Sequence, residues 1–327
     1  MSITLKRILA ALLALLAVSV VLHLLWAGPQ FLLEYPQSAL KTLLYTFRLP
    51  RTAAALLCGL SLPVSGLLLQ LLFRNPMAGP YVLGISSGAS VMVALVMMGS
   101  TVWFSLKPSS VLIIPAALTG SLMVMGLMLF LSHRIKNPVV VLLCGVLISQ
   151  FLGAAEGLLA VFAQAQELQN FWFWNLGFIP VLDHYQLLGY ALVVIMCLIG
   201  VVWQHAKIQS LLLGPLYAQS MGVHLTQIRL IIMLSASLLT ALTTAFCGPI
   251  AFIGMSLPIL SRIWFKTSHM GYQIIFVALL GSILMLHMDL LSQQLLKPRA
   301  LPINIISSCF GIPIVLWAII KEKNFMA

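Results

Sequence analysis

The sequence predicts an all-α, polytopic membrane protein with about ten transmembrane helices, formed by a single domain over residues 1–327. Of its 327 residues, 61% are hydrophobic and 7% are charged, whereas a soluble domain has about 25% charged residues. The apolar residues gather in stretches of roughly 20, the length that crosses a bilayer as a helix. Sixteen Pro and 22 Gly favour spans that are broken or closely packed. This composition excludes an ordinary soluble enzyme and a disordered chain.

Ten apolar stretches are the candidate spans. They lie at about residues 8–26, 51–72, 84–99, 110–131, 138–163, 186–205, 227–247, 250–265, 272–295 and 302–320. The eighth is short and is bounded by Gly248-Pro249 and Thr267-Ser268. The first follows Lys6 and Arg7 but is longer than the core of a usual signal peptide, so we interpret it as a retained helix.

The net charge of +11 indicates topology rather than nucleic-acid binding, because no basic patch is dense enough to follow a phosphate backbone. Cytoplasmic loops of membrane proteins carry an excess of Lys and Arg. With both termini cytoplasmic, the inner helix ends hold eleven basic residues and the outer ends hold six, namely Lys41, Arg48, Arg51, Lys107, Lys297 and Arg299. The six basic residues at the outer ends oppose this bias and need a separate explanation.

The segment at residues 48–89 carries the most information, and it reads RLPRTAAALLCGLSLPVSGLLLQLLFRNPMAGPYVLGISSGA. Gly59, Pro63, Gly66 and Gln70 fall on one helical stripe. Small residues on a stripe let a second helix approach closely, and Gln70 can hydrogen-bond across the contact. Asn75-Pro76 and Gly79-Pro80 then end the helix. We expect Ser86 and Ser87 to cap the helix that follows.

This segment resembles the signature of the permease subunits of ABC importers for iron-siderophores, haem and vitamin B12, the FecCD-type family. Two further blocks, GPIAFIGMSLPILSRI at 248–263 and ALPINIISSCFGIPIVLW at 300–317, match in the same order, as does FWFWNLG at 171–177. The positions that carry the family motif are Gln70, Asn75, Pro76, Gly84, Ser86, Ser87, Gly88, Gly248, Pro249, Pro258 and Asp289.

The resemblance implies an inverted-repeat permease fold of the type II ABC importers, working as a homodimer or with a paralogous permease. It implies ATPase subunits on the inner side, which bind the ATP and Mg, and a periplasmic or lipid-anchored substrate-binding protein outside. The cargo would be a metal chelate, a ferric siderophore or haem in the first place and cobalamin in the second. Independently, the chain contains no G-x-x-x-x-G-K-[ST] phosphate loop, so ATP hydrolysis would need another polypeptide.

The loop at residues 205–227 connects the sixth and seventh spans, and the resemblance assigns it to coupling with the ATPase. Its matching residues are Leu213, Gly214, Ala218, Ser220 and Gly222, and the predicted coupling set also includes Met221. The family's acidic pair is replaced by Pro215 and Leu216, and its arginine by Gln219. An amphipathic surface turn without a partner is the alternative interpretation.

The outward basic residues acquire a role through the same resemblance. Arg48 and Arg51, with Lys297 and Arg299, would pair with carboxylates of the binding protein, a task that suits the planar fork of arginine. Family members often have an arginine where this chain has Gln293, and the last two of the four would substitute for it. The alternative is that these side chains reach toward lipid headgroups.

Two polar stripes predict the translocation pathway, which the family lines with its fifth and tenth helices. The fifth span presents Ser149, Gly153 and Glu156, and the tenth presents Asn304, Ser308 and Gly311. An ionisable residue inside a membrane span is a functional candidate. Glu156 is not a family hallmark, so it would report either substrate preference or a paired packing charge.

No metal site and no catalytic residue is predicted. The five Cys are dispersed in apolar spans without a Cys-x-x-Cys pair, and His287 and Asp289, two residues apart, point to opposite sides of a helix. The main alternative function is a proton-coupled secondary transporter with Glu156 or Asp289 as the relay.

Overall fold

A computed structural model describes residues 3–25, 41–99, 112–135, 137–296 and 300–321. Within these ranges the chain forms thirteen α-helices. Lys297 and Arg299, two of the predicted docking residues, lie outside the described residues.

Ten of the helices occupy the ten predicted spans. They are α1 (Ile3–Leu25), α2 (Leu49–Phe73), α3 (Ile85–Ala94), α4 (Ile113–Arg134), α5 (Pro138–Phe162), α7 (His184–Trp203), α10 (Leu225–Cys247), α11 (Ile253–Phe265), α12 (Met270–Gln294) and α13 (Ile303–Lys321). The other three are short: α6 (Ala165–Asn175), α8 (His205–Ser210) and α9 (Pro215–Ser220). π-helical turns precede α2 at Leu43–Arg48 and follow α3 at Leu95–Gly99. Among the described residues, seven helices are long and apolar enough to cross a membrane, and the three shorter apolar ones belong to α3, α11 and α13.

Helix α2 lies at the centre of the bundle, where it packs against α10, α11 and α12. In the apolar 18-residue segment of the span Leu43–Phe73, which contains α2, 83% of the residues are buried. In the corresponding segment of α5, only 11% of the residues are buried. Helix α5 therefore presents most of its apolar surface outward, as a lipid-facing or partner-facing helix does.

The glycine stripe of α2 is the reason for this tight packing. A Cβ atom on Gly59 would lie 2.5 Å from the carbonyl oxygen of Gly281 in α12. One on Gly66 would lie 1.6 Å from the carbonyl oxygen of Gly254 in α11. One turn further on, the Gln70 amide donates to the Met255 carbonyl at 2.8 Å. The predicted close approach and the predicted hydrogen bond are both confirmed.

The same order of elements occurs twice along the chain. A long helix (α2) is followed by a break at residues 74–84, a short helix (α3) and another long helix (α4). Helix α10, the break at 248–252, α11 and α12 repeat this order. Such repetition is typical of transporters built from internal repeats with discontinuous helices.

The backbone breaks converge inside the bundle. The Phe178 amide donates to the Cys247 carbonyl at 2.9 Å, and the Ile303 amide donates to the Gly177 carbonyl at 3.0 Å. The Asn304 side chain donates to the Pro249 carbonyl at 2.7 Å and accepts from the Ala251 amide at 2.9 Å. Irregular backbone is tolerated at membrane depth where it is buried in protein or lines a cavity. We therefore expect the translocation pathway to lie close to these breaks.

One prediction about the break before α3 is wrong. The residue that caps α3 is Gly84, with a left-handed backbone at φ 78°, and no side chain caps the helix. Ser86 instead approaches Thr244 of α10 at 3.2 Å. A buried hydroxyl partner on a neighbouring helix satisfies the serine, so it is not available as a cap.

Candidate functional site

A polar cavity of about 200 Å³ lies where the breaks meet, between α3, α5 and the end of α6. Eight of its ten lining residues have polar side chains; the lining consists of Tyr81, Ser86, Ser87, Ser90, Ser149, Gln150, Gly153, Glu156, Asn175 and Pro249. The three predicted pathway residues of α5 thus share one wall. The structure brings them together with two motif serines that sequence analysis assigned to another task.

Glu156 is the acidic residue of this cavity, about two turns before the end of α5. Ser90, another residue of the lining, donates its hydroxyl to Oδ1 of Asn175 at 3.3 Å. A serine hydroxyl has one hydrogen to donate, so it cannot serve the Glu156 carboxylate while it holds Asn175. Among the lining residues, all within the described ranges, none is Lys, Arg or His. This arrangement favours a functional carboxylate over a paired packing charge.

The predicted pathway residues of α13 lie beside the cavity rather than in its lining. Asn304 holds the Pro249 carbonyl, and its amide also lies 3.4 Å from the Asn175 carbonyl. Gly311 is packed so closely that a Cβ there would lie 2.5 Å from Cβ of Phe252. Ser308 is half-buried. Helix α13 therefore supports the cavity by positioning two of its lining residues.

A second polar cluster lies at the end of the bundle that the charge distribution predicts to face outward. Asp289 is fully buried, and Arg51 donates to both of its oxygens, from Nε and Nη2, at 2.8 Å each. Gln293 donates to Oδ2 at 2.8 Å. His23 Nε2 lies 3.0 Å from Oδ2, and its Nδ1 lies 2.8 Å from Oγ1 of Thr52. The cluster ties α1, α2 and α12 together.

The two predicted docking residues that the structure describes, Arg51 and Arg48, differ in whether they have a carboxylate partner. Arg51 is committed to Asp289, with a quarter of its side chain exposed. Arg48 is half-buried, and its Nη1 is buried without a hydrogen-bond partner in the part of the chain that the structure describes. A carboxylate brought by another molecule would therefore have to approach the part of the Arg48 side chain that remains exposed, where a charged hydrogen bond can form.

Sequence analysis missed His23 as a member of this cluster. The signal that could have found it is an aromatic base in the last turn of an otherwise apolar first span, since buried polar groups need partners. His287 has its own partner, the Ile283 carbonyl at 2.8 Å. It does not join Asp289, as expected from their spacing.

The loop between α7 and α10 forms an exposed apolar patch built around α9. The patch consists of Leu212, Leu213, Leu216, Tyr217 and Met221, each more than half exposed. Ala218, in contrast, is fully buried, so it holds the loop in place and does not offer a contact. Arg74 ties the loop to the end of α2 by donating to the Leu211 carbonyl at 3.0 Å. A contiguous apolar patch on an otherwise polar loop indicates an interaction surface.

The remaining motif residues shape the breaks. Asn75 accepts a hydrogen bond from the Met77 amide at 2.9 Å, a side-chain turn that spans Pro76. Gly84 and Gly248 have φ values of 78° and 74°, which favour glycine because no Cβ clashes there. A Cβ on Gly88 would lie 2.5 Å from the Gly120 carbonyl oxygen. Pro258 lies inside α11, and Arg262 of the same helix hydrogen-bonds with Gln70.

A bundle of apolar helices with two matched breaks around a polar cavity defines a transport permease. The profile of the FecCD transport family matches residues 7–321. The chain belongs to this family and is the permease subunit of an ABC importer, a multi-pass membrane protein that is not itself the catalytic subunit.

Three similarities agree with this assignment. The hemin transport system permease protein HmuU of Yersinia pestis is 34% identical over 281 residues, 85% of this chain and 83% of the relative. The vitamin B12 import system permease protein BtuC of Vibrio parahaemolyticus is 31% identical, over 86% and 84% of the two chains. A solved inward-facing ABC transporter of the metal-chelate type superposes with a TM-score of 0.85 at 25% identity, covering 97% of this chain and 99% of that one.

Proposed function

We propose that this permease moves a metal chelate across the inner (cytoplasmic) membrane by alternating access, with both termini cytoplasmic. The first candidates for the cargo are a ferric siderophore and haem, and the second candidate is cobalamin. The observation that carries the proposal is the polar cavity enclosed by the helix breaks, in a chain whose relatives are named for hemin and vitamin B12. A cavity at the junction of discontinuous helices is where transporters hold or pass their cargo.

The permease works with a second permease copy or a paralogue, and the exposed face of α5 supports this pairing. Within one chain, only 11% of the residues in the apolar segment of α5 are buried. The same helix carries Ser149 and Glu156, two polar residues of the cavity. A partner permease on this face would place two polar cavities on either side of a shared pathway. In this proposal, Ser308 and Gly311 of α13 border the shared pathway.

The ATPase docks on the patch around α9, which supplies the coupling contact. Its contact residues are Leu213 and Met221, together with Leu216, which sequence analysis noted only as a departure from the family. Gly214 and Gly222, with φ values of 120° and 79°, end the short helix on both sides. Ser220 is exposed at its C-terminal end and donates to the Tyr217 carbonyl at 2.8 Å. Mutation of this patch tests the proposed function directly, because a transporter that works without an ATPase would not need a docking surface for one.

Replacing both Leu216 and Met221 by Glu is expected to abolish co-purification of the ATPase. Each side chain would contribute roughly 1.5–3 kcal/mol when a partner buries it, and a buried unpaired carboxylate adds a further penalty. Together these losses weaken the complex more than about 100-fold. The measurement is the amount of ATPase retained on the tagged permease in detergent.

His133→Glu is the matched control, since it adds a charge to an exposed inner helix end outside the patch. This variant should retain the ATPase like the unmodified chain. Equal retention of the ATPase by the double variant would reject the coupling surface. Ala218→Glu is not a suitable probe, because the fully buried Ala218 would disrupt the loop itself.

The substrate-binding protein docks at the outer end, where the half-buried Arg48 makes no ion pair with a carboxylate of the described residues and can pair with one from the binding protein. Arg51 supports this contact by holding Asp289. Lys297 and Arg299 remain part of the proposed docking set on sequence grounds, near the end of α12.

Arg48→Ala is expected to weaken docking of the binding protein by about 10- to 100-fold, because hydrogen bonds to charged groups contribute about 1.5–3 kcal/mol. Lys41→Ala removes an exposed basic residue from the same end of the bundle and should change the affinity less than threefold. Surface plasmon resonance with the permease in nanodiscs measures both affinities. If the two variants bind equally well, Arg48 is not a docking residue.

A further inference from the structure

We propose that Glu156 gives the cavity an electrostatic preference, so that the pathway admits cationic and neutral groups of the cargo and opposes anionic ones. The proposal deepens the transport function above and rests on it. It assigns a specificity role to a residue that is not part of the family signature. Chelates rich in hydroxyl and amine donors fit such a cavity better than chelates that carry free carboxylates. Among the proposed cargoes, this preference therefore favours a siderophore without free carboxylates, or cobalamin, over haem with its two anionic propionates.

The composition of the cavity is the first support. Its wall combines one carboxylate with hydroxyl and amide groups, and none of its lining residues is basic. The negative charge of Glu156 is therefore not compensated by a side chain of the lining. The hydroxyl of Ser90, which also lines the cavity, is donated to Oδ1 of Asn175 at 3.3 Å. The carboxylate consequently keeps acceptor capacity for a donor that enters the cavity.

The space beside Glu156 is the second support. Gly153 lies one turn before it on the same wall, and a Cβ atom on Gly153 would meet no heavy atom within 4 Å. Residues three apart on a helix are neighbours at about 5–6 Å between Cβ atoms. A group that passes Gly153 would thus come close to the carboxylate of Glu156 and interact with its charge.

Chemical labelling of a cysteine at position 153 tests this preference. Gly153→Cys is made in a chain in which Cys144, Cys197 and Cys309, the three cysteines that are not buried, are replaced by Ala. Two methanethiosulfonates of similar size are compared in membrane vesicles, the cationic trimethylammonium-ethyl and the anionic sulfonatoethyl reagent. Each rate is divided by the rate of that reagent with a simple thiol in solution.

The cationic reagent is expected to react about tenfold faster or more, since one carboxylate at this distance attracts one reagent and repels the other. Adding Glu156→Gln should bring the corrected ratio to within about twofold of unity, whereas Glu156→Asp should preserve the preference. Gly189→Cys is the matched control, because Gly189 also has open space around its Cβ but lies on α7 and does not line the cavity. It should show no such preference.

An unchanged ratio in Glu156→Gln would overturn the proposal, as would a Gly153→Cys variant that neither reagent modifies. Size-exclusion profiles confirm that each variant is folded before labelling. The outcome is separate from that of the transport proposal, because labelling requires neither the ATPase nor a cargo. Failure of ATP-driven uptake with an intact charge preference would reject the function and leave the electrostatic property of the cavity.

Discussion

Replacing Asp289 by Asn is expected to destabilise the protein by about 3–5 kcal/mol, the usual cost of breaking a buried ion pair from one side. Asp289 is fully buried and accepts hydrogen bonds from both nitrogens of Arg51 and from Gln293, with His23 at 3.0 Å. Asparagine has nearly the same shape, but it offers one oxygen and turns an NH₂ group toward these donors. The guanidinium of Arg51 then loses its counter-charge, and α1 loses its polar contact with α12.

The midpoint of thermal unfolding in detergent measures this loss. Asp183→Asn is the matched control, because Asp183 is an exposed acidic residue at the start of α7 and asparagine caps a helix as well as aspartate does. We expect the control to shift stability by less than about 0.5 kcal/mol. Similar midpoints for the two variants would show that the Asp289 cluster does not hold the outer end of the bundle.

Gly66→Ala is expected to cost about 3 kcal/mol or to prevent folding altogether. The added methyl group would lie 1.6 Å from the Gly254 carbonyl oxygen, and both partners are backbone atoms of packed helices that cannot rotate away. Helices α2 and α11 must separate, which also breaks the hydrogen bond from Gln70 to the Met255 carbonyl. Overpacking a well-packed contact costs about 1–3 kcal/mol even without such a loss.

Gly157→Ala supplies the comparison on α5, since a Cβ there meets nothing within 4 Å. Alanine favours a helix over glycine by up to about 1 kcal/mol, so this variant should be as stable as the parent or slightly more so. Unfolding midpoints and the yield of monodisperse protein distinguish the two variants. If Gly66→Ala is tolerated like Gly157→Ala, the close approach of α2 and α11 is not required.

Features that depend on local sequence were predictable. The breaks after α2 and α10 follow from Pro and Gly, which end helices wherever they occur. The stripe of Gly59 and Gly66 predicted a close helix contact because small residues at helical spacing have few other roles in a membrane. The ten apolar stretches were likewise found from length and hydropathy alone.

Pairings between distant residues were not predictable in the same way. His23 and Asp289 are separated by 266 residues, and Arg51 and Asp289 by 238, so no local pattern connects them. Sequence analysis assigned Arg51 to docking of the binding protein because it lies at the outer end of its span, where the family has arginines of this kind. The structure turns it inward, because α12 brings the buried carboxylate of Asp289 within its reach and such a carboxylate needs a cation.

Short helices were the other source of error. The six residues of α9 are too few for a periodic pattern, so sequence analysis treated Ala218 and Met221 alike, although one is buried and the other exposed. Helix α6 was missed because its aromatic residues were interpreted only as a family motif. Its last residue, Asn175, lines the cavity, so this omission concealed one side of the site.

ATP-driven uptake in proteoliposomes tests the central claim most directly. The permease is reconstituted with its ATPase and binding protein, and uptake of iron-labelled siderophores, hemin and cobalamin is followed. We expect uptake of one of these chelates that requires ATP, stops with vanadate, is lost in the Leu216→Glu, Met221→Glu variant and persists with a proton ionophore. Uptake that continues without the ATPase and collapses with the ionophore would contradict the account and identify a proton-coupled transporter.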